Sequence, residues 1–470
     1  MNPGIYGLAG QAVGDPIVGE ISTLAWTVSE IPGIAGVNGR LNVGDRENWT
    51  VHRFFALSAA PQGLPRVDPF SSTVFGTTGL LVEMPQVGSA FVVSPADRAV
   101  EKPFGNSRGQ GAIDIQTYRE SSGRVALGQD AIAIGQNCIS SGFQSIAMGR
   151  TTTANAQAAI AIGDTTNASS IYAMGIGFQV SASGQYSVAL GYVSSASQTQ
   201  ATAIGANSLA SASRSSALGY SSTASGSDSI AIGDATASAG YAIAIGGSSL
   251  ANSSQAVAVG RSSQATASDS VAVGYAANAY GTGSSAIGLA TAGGNYAQAI
   301  GYNSNAANDR SIVLGYDAGS VWNGALAYTN GRWSSYGDTG AYWVTQRIET
   351  TNATTTALLQ YAQANTRITL AANVVLTFRL QLAARQTAGT AGTVGDAAGW
   401  IIDGVIRRGN TGNVVLLGST TATTYADAGA AAWTAAVVAD TTNNALTVDV
   451  TGEANKTIRW TAVWSITRQA

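Results

Sequence analysis

The sequence predicts an all-β protein in which a long parallel β-solenoid is followed by an antiparallel β domain. Three observations predict it. A short phrase recurs about every 14 residues through the middle of the chain, no proline occurs after Pro103, and alternating β-branched runs fill the C-terminal part. Proline removes a hydrogen-bond donor from a sheet, so the long proline-free stretch favours uninterrupted strands.

The repeated phrase pairs a small residue and an aliphatic residue with a glycine, as in Ala231-Ile232-Gly233. It begins at Ala126-Leu127-Gly128 and keeps its register over fifteen copies. Of the thirteen steps after Gly135, eleven are 14 residues long and two are 13. A fixed period of this kind predicts a repeat architecture. The later corner glycines are Gly149, Gly163, Gly177, Gly191, Gly205, Gly219, Gly233, Gly246, Gly260, Gly274, Gly288, Gly301 and Gly315.

Each repeat has the pattern of a short strand that ends in a turn. Ile230-Ala231-Ile232 alternates with a period of two and is too short for a helix. The glycine that follows permits a turn that other residues resist. A 14-residue unit holds two short strands and two turns and cannot bury its own apolar face, whereas stacked units can. The repeat therefore predicts a β-solenoid with one coil per repeat.

The same alternation predicts a covered surface. Along Ile230-Ala231-Ile232 the isoleucines point to one side and the alanine to the other. We place the isoleucines inside the coil and the alanines in a flat stripe along its outside. An apolar stripe of this length is expected to be covered, and identical chains side by side would cover it. This predicts a homo-oligomer without fixing the number of chains.

The AIG, ALG and AVG phrases at a period of 14, with serine and alanine between them, resemble the head repeats of bacterial trimeric autotransporter adhesins. The resemblance covers about residues 125–317. It implies a left-handed parallel β-roll in which three chains pack around one axis, so it implies a homotrimer. The periodicity by itself shows neither the handedness nor the number three.

Other parts of the chain differ from that family. Such adhesins carry a secretory signal and a C-terminal membrane anchor, but residues 1–14 lack a basic start and a long apolar core. The chain closes on "TAVWSITRQA", and it has no run of 18 apolar residues. We therefore expect no membrane insertion.

Composition divides the chain into four segments. Residues 1–110 hold all nine prolines and are predicted to be a loop-rich region that attaches to other virion proteins. Residues 111–317 form the β-roll rod, 318–343 an aromatic neck, and 344–470 a β domain that contacts the host. Runs such as "NVVLTFRLQLAARQ" and "KTIRWTAVWSITRQ" predict an antiparallel β-sandwich or barrel there. In its pattern of alternating strands, this last segment resembles terminal domains in fibres of tailed bacteriophages.

Charge and residue counts narrow the function classes. Charged residues make up 10% of the chain, and the net charge is −3. Because a nucleic-acid partner would need clustered positive charge, we expect no nucleic-acid binding. The single cysteine, Cys138, excludes an intrachain disulfide and is expected to be structural. The single histidine, His52, has no second histidine or matched carboxylates at ligand spacing, so we expect no metal and no cofactor.

The carboxylates favour a non-enzymatic protein. Glycosidases hold two acids about 5–10 Å apart across a sugar. Asp228 and Asp234 flank one strand, but Asp164 and Asp234 directly follow corner glycines, where aspartate is a common turn residue. A narrow coil also lacks the lateral loops that build a carbohydrate cleft. A glycan-cleaving tailspike is kept as the third alternative.

The neck is the candidate site. From Tyr316 to Trp343 the chain carries seven aromatic residues in 28. They either plug the open end of the roll and seat the next domain, or form a platform for glycan. The candidate glycan-contact residues are Trp322, Trp333, Tyr336, Tyr342 and Trp343. A second aromatic set follows corner glycines and is predicted to stack between coils: Phe178, Tyr192, Tyr220, Tyr275, Tyr302 and Tyr316.

The sequence thus predicts a homotrimeric fibre or spike of a tailed bacteriophage, located on the virion, that adheres to bacterial cell-surface glycan. Its N-terminal region would fasten it to the virion and its C-terminal domain would meet the host. Three identical tips would convert weak contacts into avid attachment. The alternative is the head of a bacterial trimeric surface adhesin.

Overall fold

The computed structural model describes residues 75–76, 79–80, 91–93, 108–360 and 366–470. For the strand residues before 108, and for 422–424, it describes the backbone alone. The chain divides into two compact units, residues 1–193 and 194–470. The described residues form strands, turns and one 3-10 helix, Ala428–Ala430. Most of the predicted attachment region, including His52, lies outside the described residues.

In the first unit each coil contains a longer strand that runs through the repeated phrase and a two-residue strand on the opposite side. The longer strands are Ile132–Gln136, Ile146–Arg150, Ile160–Asp164, Met174–Phe178 and Val188–Tyr192. The short strands are Ile139–Ser140, Thr153–Ala154, Asn167–Ala168 and Ser181–Ala182. Strands Phe75–Gly76, Gly79–Leu80, Phe91–Val93 and Ile113–Tyr118 precede them.

The second unit continues this pattern before its C-terminal domain. The longer strands are Thr202–Ala206, Ser216–Leu218, Ile230–Ile232, Ile243–Ile245, Val257–Val259, Val271–Val273, Ser285–Ala292, Gln298–Ala306, Ile312–Tyr316 and Leu326–Asn330. The short strands are Ser195–Ala196, Leu209–Ala210, Thr223–Ala224, Ala235–Ala237, Ser249–Ala251, Gln264–Ala265 and Asn278–Ala279.

The pairing is that of a parallel β-solenoid. Each repeated phrase lies beside the same phrase one coil away, so that Ala231 pairs with Ala244 and Ile232 with Ile245. The short strands form a second parallel sheet, in which Thr223 pairs with Thr236. About 15 turns lie within residues 118–330. The solenoid predicted from the period is confirmed.

The corner glycines are required by both backbone conformation and space. Gly163 has a φ of +130°, and a Cβ placed on it would lie 1.9 Å from the carbonyl oxygen of Gly177 in the next coil. Gly260 has a φ of +127°, and a Cβ there would lie 2.2 Å from the oxygen of Gly274. A side chain at these corners would therefore separate adjacent coils.

The predicted orientation of the strands is wrong. Ala231 and Ala244 are fully buried inside the coil, whereas Ile232 points outward and is 39% exposed. The interior is only one small side chain wide, since the Ser140 and Ser145 hydroxyl oxygens meet across it at 2.7 Å. Isoleucine does not fit this space, so the alanines and serines fill it and the aliphatic side chains lie outside.

A buried charge cluster lies at the N-terminal end of the solenoid. Asp114 stands in register with the interior Ala133 and is fully buried. Its carboxylate accepts hydrogen bonds from Arg108 Nε at 2.7 Å and Gln116 Nε2 at 2.8 Å. The carboxylate buried in the coil is thus paired with a guanidinium and hydrogen-bonded, as a buried charge requires.

The C-terminal domain consists of two antiparallel sheets. We number its strands β1 to β9: Thr339–Thr350, Thr356–Ala357, Ile368–Thr369, Val374–Gly389, Ala397–Arg408, Val414–Ala426, Thr434–Asp440, Ala445–Thr451 and Lys456–Gln469. One sheet has the order β1-β9-β4-β5-β6. In the other, β8 pairs with β2, β3 and β7. The predicted antiparallel domain is confirmed.

Its core lies on the inner side of both sheets. The side chains of β9 alternate strictly, so that Trp460 and Trp464 are buried. Trp460 stacks on Trp400 of β5 with ring centroids 5.6 Å apart, and its ring also meets Trp433 at 5.9 Å. Val448 of the second sheet is fully buried as well.

The roll and this domain share one sheet. The last strand of the roll, Leu326–Asn330, pairs in parallel with Ile312–Tyr316 and antiparallel with β1. In that pairing Leu326 lies opposite Trp343. The outward face of the roll strands is therefore continuous with the outward face of β1.

Candidate functional site

Two of the five candidate aromatics of the neck are buried. Trp322 and Tyr342 meet edge to face with ring centroids 5.2 Å apart. The indole nitrogen of Trp322 donates to the carbonyl oxygen of Thr369 at 2.9 Å. These two side chains join the end of the roll to the C-terminal domain, and neither is accessible to a glycan.

Tyr342 fixes the end of the surface loop formed by residues 331–338. Its hydroxyl donates to the carbonyl oxygen of Gly337 at 3.1 Å and lies 3.2 Å from that of Gly319. Burial raises the pKa of Tyr342 to about 12. Arg468 of β9 also donates to the Gly337 oxygen. The loop is thus anchored to the last strand of the chain.

Asp338 holds the same loop from inside. Its carboxylate accepts backbone N–H bonds from Trp333 at 3.2 Å, Ser334 at 2.6 Å and Ser335 at 2.8 Å. Burial raises the pKa of Asp338, but these three donors together outweigh it and leave the pKa below its usual value. The carboxylate therefore stays ionised and keeps the turn closed.

The loop presents the other aromatics to solvent. Trp333 is 77% exposed and Tyr336 is 38% exposed. The Arg332 guanidinium lies over the Tyr336 ring at 4.3 Å, and the Tyr336 hydroxyl donates to Asn303 Oδ1 at 2.6 Å. Asn303 in turn donates to Asp317. The exposed Trp333 indole can stack on a sugar face, and the amide, carboxylate and guanidinium groups around Tyr336 can bond sugar hydroxyls.

Trp343, the fifth candidate, belongs to another surface. It is 40% exposed and lies on the outward face of β1 beside Leu326. The structure therefore separates the predicted set into a buried pair, an exposed loop pair and one residue on a sheet face. The glycan contacts of Trp333, Tyr336 and Trp343 stay predictions.

The outward face of the roll carries a column of aliphatic side chains that sequence reasoning placed inside. The residue directly before the corner glycine is aliphatic in every coil from Gly135 to Gly315, and none of these side chains is buried. We call these residues the aliphatic column: Ile134, Met148, Ile162, Ile176, Leu190, Ile204, Leu218, Ile232, Ile245, Val259, Val273, Ile287, Ile300 and Leu314.

The opposite face of the roll is mostly polar. Outward positions of its short strands are occupied by residues such as Thr153, Asn167, Thr223 and Thr236. Ile139, Leu209 and Leu250 are exceptions. The two faces of each coil thus differ in chemistry. In a single chain the aliphatic column is the larger apolar surface left in water.

Four of the six rings behind the corner glycines stack between coils as predicted. Phe178 stacks on Tyr192, and Tyr302 on Tyr316, each with ring centroids 5.2 Å apart. Tyr275 instead has the Arg261 guanidinium 5.9 Å from its ring centroid. Stacking occurs where consecutive coils both carry a ring at this position.

Two roll aspartates are engaged by arginines one coil earlier. Arg150 pairs with Asp164, and Arg214 Nε lies 2.6 Å from Asp228 Oδ1. Hydrogen bonds from these arginines are the main cause that lowers the pKa of both carboxyls. A general acid for glycan cleavage needs the opposite shift.

The described residues contain neither a metal-binding cluster nor a membrane-spanning helix. No group of three or more His, Cys, Asp or Glu side chains in this part of the chain could hold a metal ion. Cys138 is buried, with its sulfur 3.3 Å from the carbonyl oxygen of Gly149. No helix among these residues has the length and apolarity that a membrane crossing requires.

The coils are similar to those of a known repeat family. Six segments match the family model of the YadA head domain repeat: 140–166, 182–208, 210–236, 237–263, 265–291 and 292–318. The repeat segment matches the YadA head family. The resemblance read from the AIG phrase is thereby confirmed, and the coils form an adhesin-like β-roll.

The whole chain is also similar to a solved phage protein. The crystal structure of the Acinetobacter phage vB_ApiP_P1 tailspike protein is similar at 10% sequence identity and a TM-score of 0.23. The match covers 82% of this chain and 79% of the tailspike chain. No curated protein matches the sequence significantly.

Proposed function

We propose that the protein is a homotrimeric adhesive fibre of a tailed bacteriophage. The aliphatic column of each chain is buried against two other copies, and the loop of residues 331–338 contacts host-surface glycan. Residues 1–110 attach the fibre to other virion proteins. The fibre acts by adhesion and cleaves no glycan.

The aliphatic column is the observation that carries this proposal. It runs through five consecutive repeats of the first unit and nine of the second, on one face of each unit, while the opposite face is mostly polar. Burial of aliphatic surface contributes about 25 cal/mol per Å², so a column repeated in every coil strongly favours association. Three copies is the number that the adhesin resemblance implies, and a closed ring covers all three columns equally.

The exposed loop aromatics support the glycan contact. Trp333 is held on a turn closed by Asp338 rather than on a free segment, so little conformational entropy is lost when a sugar binds. A single such contact is weak. Three identical loops on one trimer raise the effective concentration and convert weak contacts into avid attachment.

The YadA head match also favours a second candidate, the head of a bacterial trimeric surface adhesin. The two candidates share the trimer and the adhesion and differ in location. Immunogold labelling separates them: label on phage particles supports the fibre, and label on the bacterial envelope supports the surface adhesin.

Adhesion is tested with fluorescently labelled full-length protein on host cells. We expect the protein to adsorb and to block infection in competition, and Trp333→Ala to reduce adsorption. Tyr280→Ala is the matched control, because Tyr280 is an exposed aromatic on the roll. Equal adsorption by all three proteins would show that the loop of residues 331–338 does not contact the host surface. Absence of adsorption by the unmodified protein would contradict the adhesive function itself.

A further inference from the structure

A groove crosses the outward face of the five-stranded C-terminal sheet. Strand register places Thr461 beside Ala383 and Ala383 beside Gly399, so two small side chains and a bare glycine form its floor. A Cβ placed on Gly399 would meet nothing closer than 3.7 Å. Tyr425, which is 75% exposed, lies beside Gly399 and closes one end.

The next row of the sheet forms one wall. Two residues further along each strand, Val463 lies beside Gln381 and Gln381 beside Ile401. Alternate residues on a strand are about 6.8 Å apart and neighbouring strands about 4.8 Å. The floor is thus about one sugar ring wide and crosses three strands.

The row of residues on the other side of the floor is basic. Arg385 and Arg459 lie beside each other in the row on the other side of the floor, and Arg347 continues the floor row on β1. Arg459 pairs with Glu349 at 2.9 Å, whereas Arg385 and Arg347 have no ion pair among the described residues. Two exposed guanidinium groups therefore stand beside the groove without an acidic partner in that part of the chain.

The charge of this face is opposite to that of the chain. The outward positions of β1, β4, β5 and β9 carry five arginines and two acids, in a protein of net charge −3 with only two lysines. The arginines are Arg347, Arg379, Arg385, Arg407 and Arg459, and the acids are Glu349 and Asp403. Like charge disfavours packing of three such faces around one axis, and it favours an anionic occupant.

We propose that this groove binds an acidic oligosaccharide, with Arg385 as the residue that recognises its anionic group. Arg385 would bind a carboxylate or sulfate in a bidentate manner, Gln381 and Thr461 would bond sugar hydroxyls, and Tyr425 would stack on a ring face. The inference rests on the proposed glycan adhesion and specifies its substrate class. It is a different site from the loop of residues 331–338.

The full-length protein is titrated with three probes, and binding is measured by calorimetry. The probes are an oligoglucuronate, a sulfated oligosaccharide and a neutral glucose oligosaccharide. We expect at least one acidic probe to bind more tightly than the neutral one, and binding to weaken as salt is raised. Arg385→Gln should weaken acidic binding by about tenfold or more, the loss of one charge-assisted bidentate contact.

Two further variants separate recognition from folding and from bulk charge. Arg407→Gln removes the same charge from the same face. The β4 residue in register with Arg407 is Val375, ten positions before Arg385, so the two arginines are about 30 Å apart along the sheet. This variant should therefore leave binding unchanged. Ala383→Phe keeps every charge and fills the floor, so it should abolish binding of the acidic probes. Circular dichroism confirms that each variant is folded.

Four results would overturn the inference. Equal binding of neutral and acidic probes would exclude an anion site. If Arg385→Gln and Arg407→Gln weaken binding equally, the overall charge of the face explains the binding and Arg385 recognises no particular group. A change in oligomeric mass with Arg385→Gln would instead show that this face lies between copies of the chain. If the protein adsorbs to host cells through Trp333 but binds no acidic probe, the inference fails while the adhesive function stands.

Discussion

Ala231 and Ile232 are neighbours on one strand, and their side chains point in opposite directions: Ala231 is fully buried in the coil and Ile232 faces solvent. The same contrast recurs in the neighbouring coil, where Ala244 is fully buried and Ile245 is not. The coil is therefore closed by its smallest side chains. Its largest aliphatic side chains are left for a second surface, which we assign to the contact between copies.

Charge on the aliphatic column should separate the copies. Ile232 and Ile245 are adjacent across two coils, and Ile232→Asp with Ile245→Asp places two carboxylates on the face assigned to the contact. Burying unpaired charge costs several kcal/mol, so we expect a lower oligomeric mass in sedimentation velocity. Each single chain should stay folded, because these positions face outward within it.

Thr223→Asp with Thr236→Asp is the control for that experiment. These threonines are adjacent in the same way but lie on the polar face. This variant should keep the oligomeric mass of the unmodified protein. Dissociation by both double variants, or by neither, would mean that the aliphatic column is not the contact.

A charge inside the coil should act on folding instead. Ala231→Glu places a carboxylate in an interior where two serine oxygens already meet at 2.7 Å. We expect a loss of about 3 kcal/mol or more in the free energy of unfolding. Ala231→Ser should be tolerated, since serine occurs at other interior positions such as Ser187 and Ser229. Denaturant unfolding at equal protein concentration measures both, and equal stability of the two variants would contradict the assigned interior.

The corner glycines provide a paired test of the stacking. Gly260→Ala introduces a methyl group 2.2 Å from the oxygen of Gly274 at a φ of +127°. Backbone strain of this kind costs about 1–3 kcal/mol, and the clash adds to it. Gly247→Ala meets nothing within 4 Å and its φ is not left-handed, so thermal unfolding should hardly change. Similar melting temperatures for both variants would show that coils do not stack at this corner.

Tyr342 should make the stability depend on pH in the alkaline range. Burial raises its pKa from 10 to about 12, so the hydroxyl ionises first in the unfolded chain. Its contribution is fully present below pH 10 and is lost as the pH rises towards 12, at about 1.4 kcal/mol per unit. Tyr342→Phe should be less stable at neutral pH and show a shallower alkaline decline. A decline of equal slope in both proteins would contradict the burial of this hydroxyl.

The architecture of the roll could be predicted from the sequence because it depends on local rules. A glycine at a fixed period and a strand alternation of two suffice to predict a solenoid, and both follow from backbone geometry. The side of the strand that faces inward does not follow, because Ile230-Ala231-Ile232 alternates in the same way whichever side is inside. The width of the coil decides it, and that width appears only when Ser140 meets Ser145.

The candidate site was only partly predictable for a related reason. Seven aromatics in one segment signalled a junction, but nothing local distinguishes Trp322 from Trp333. Trp322 is buried by partners that are distant in sequence, including the carbonyl oxygen of Thr369. The groove on the C-terminal sheet also combines residues from four strands, which only the register brings together.

The mass of the full-length protein in solution tests the central claim most directly. Light scattering coupled to size exclusion should give three times the 47.4 kDa of one chain, because only association covers the aliphatic column. A folded protein with the mass of a single chain would contradict the account.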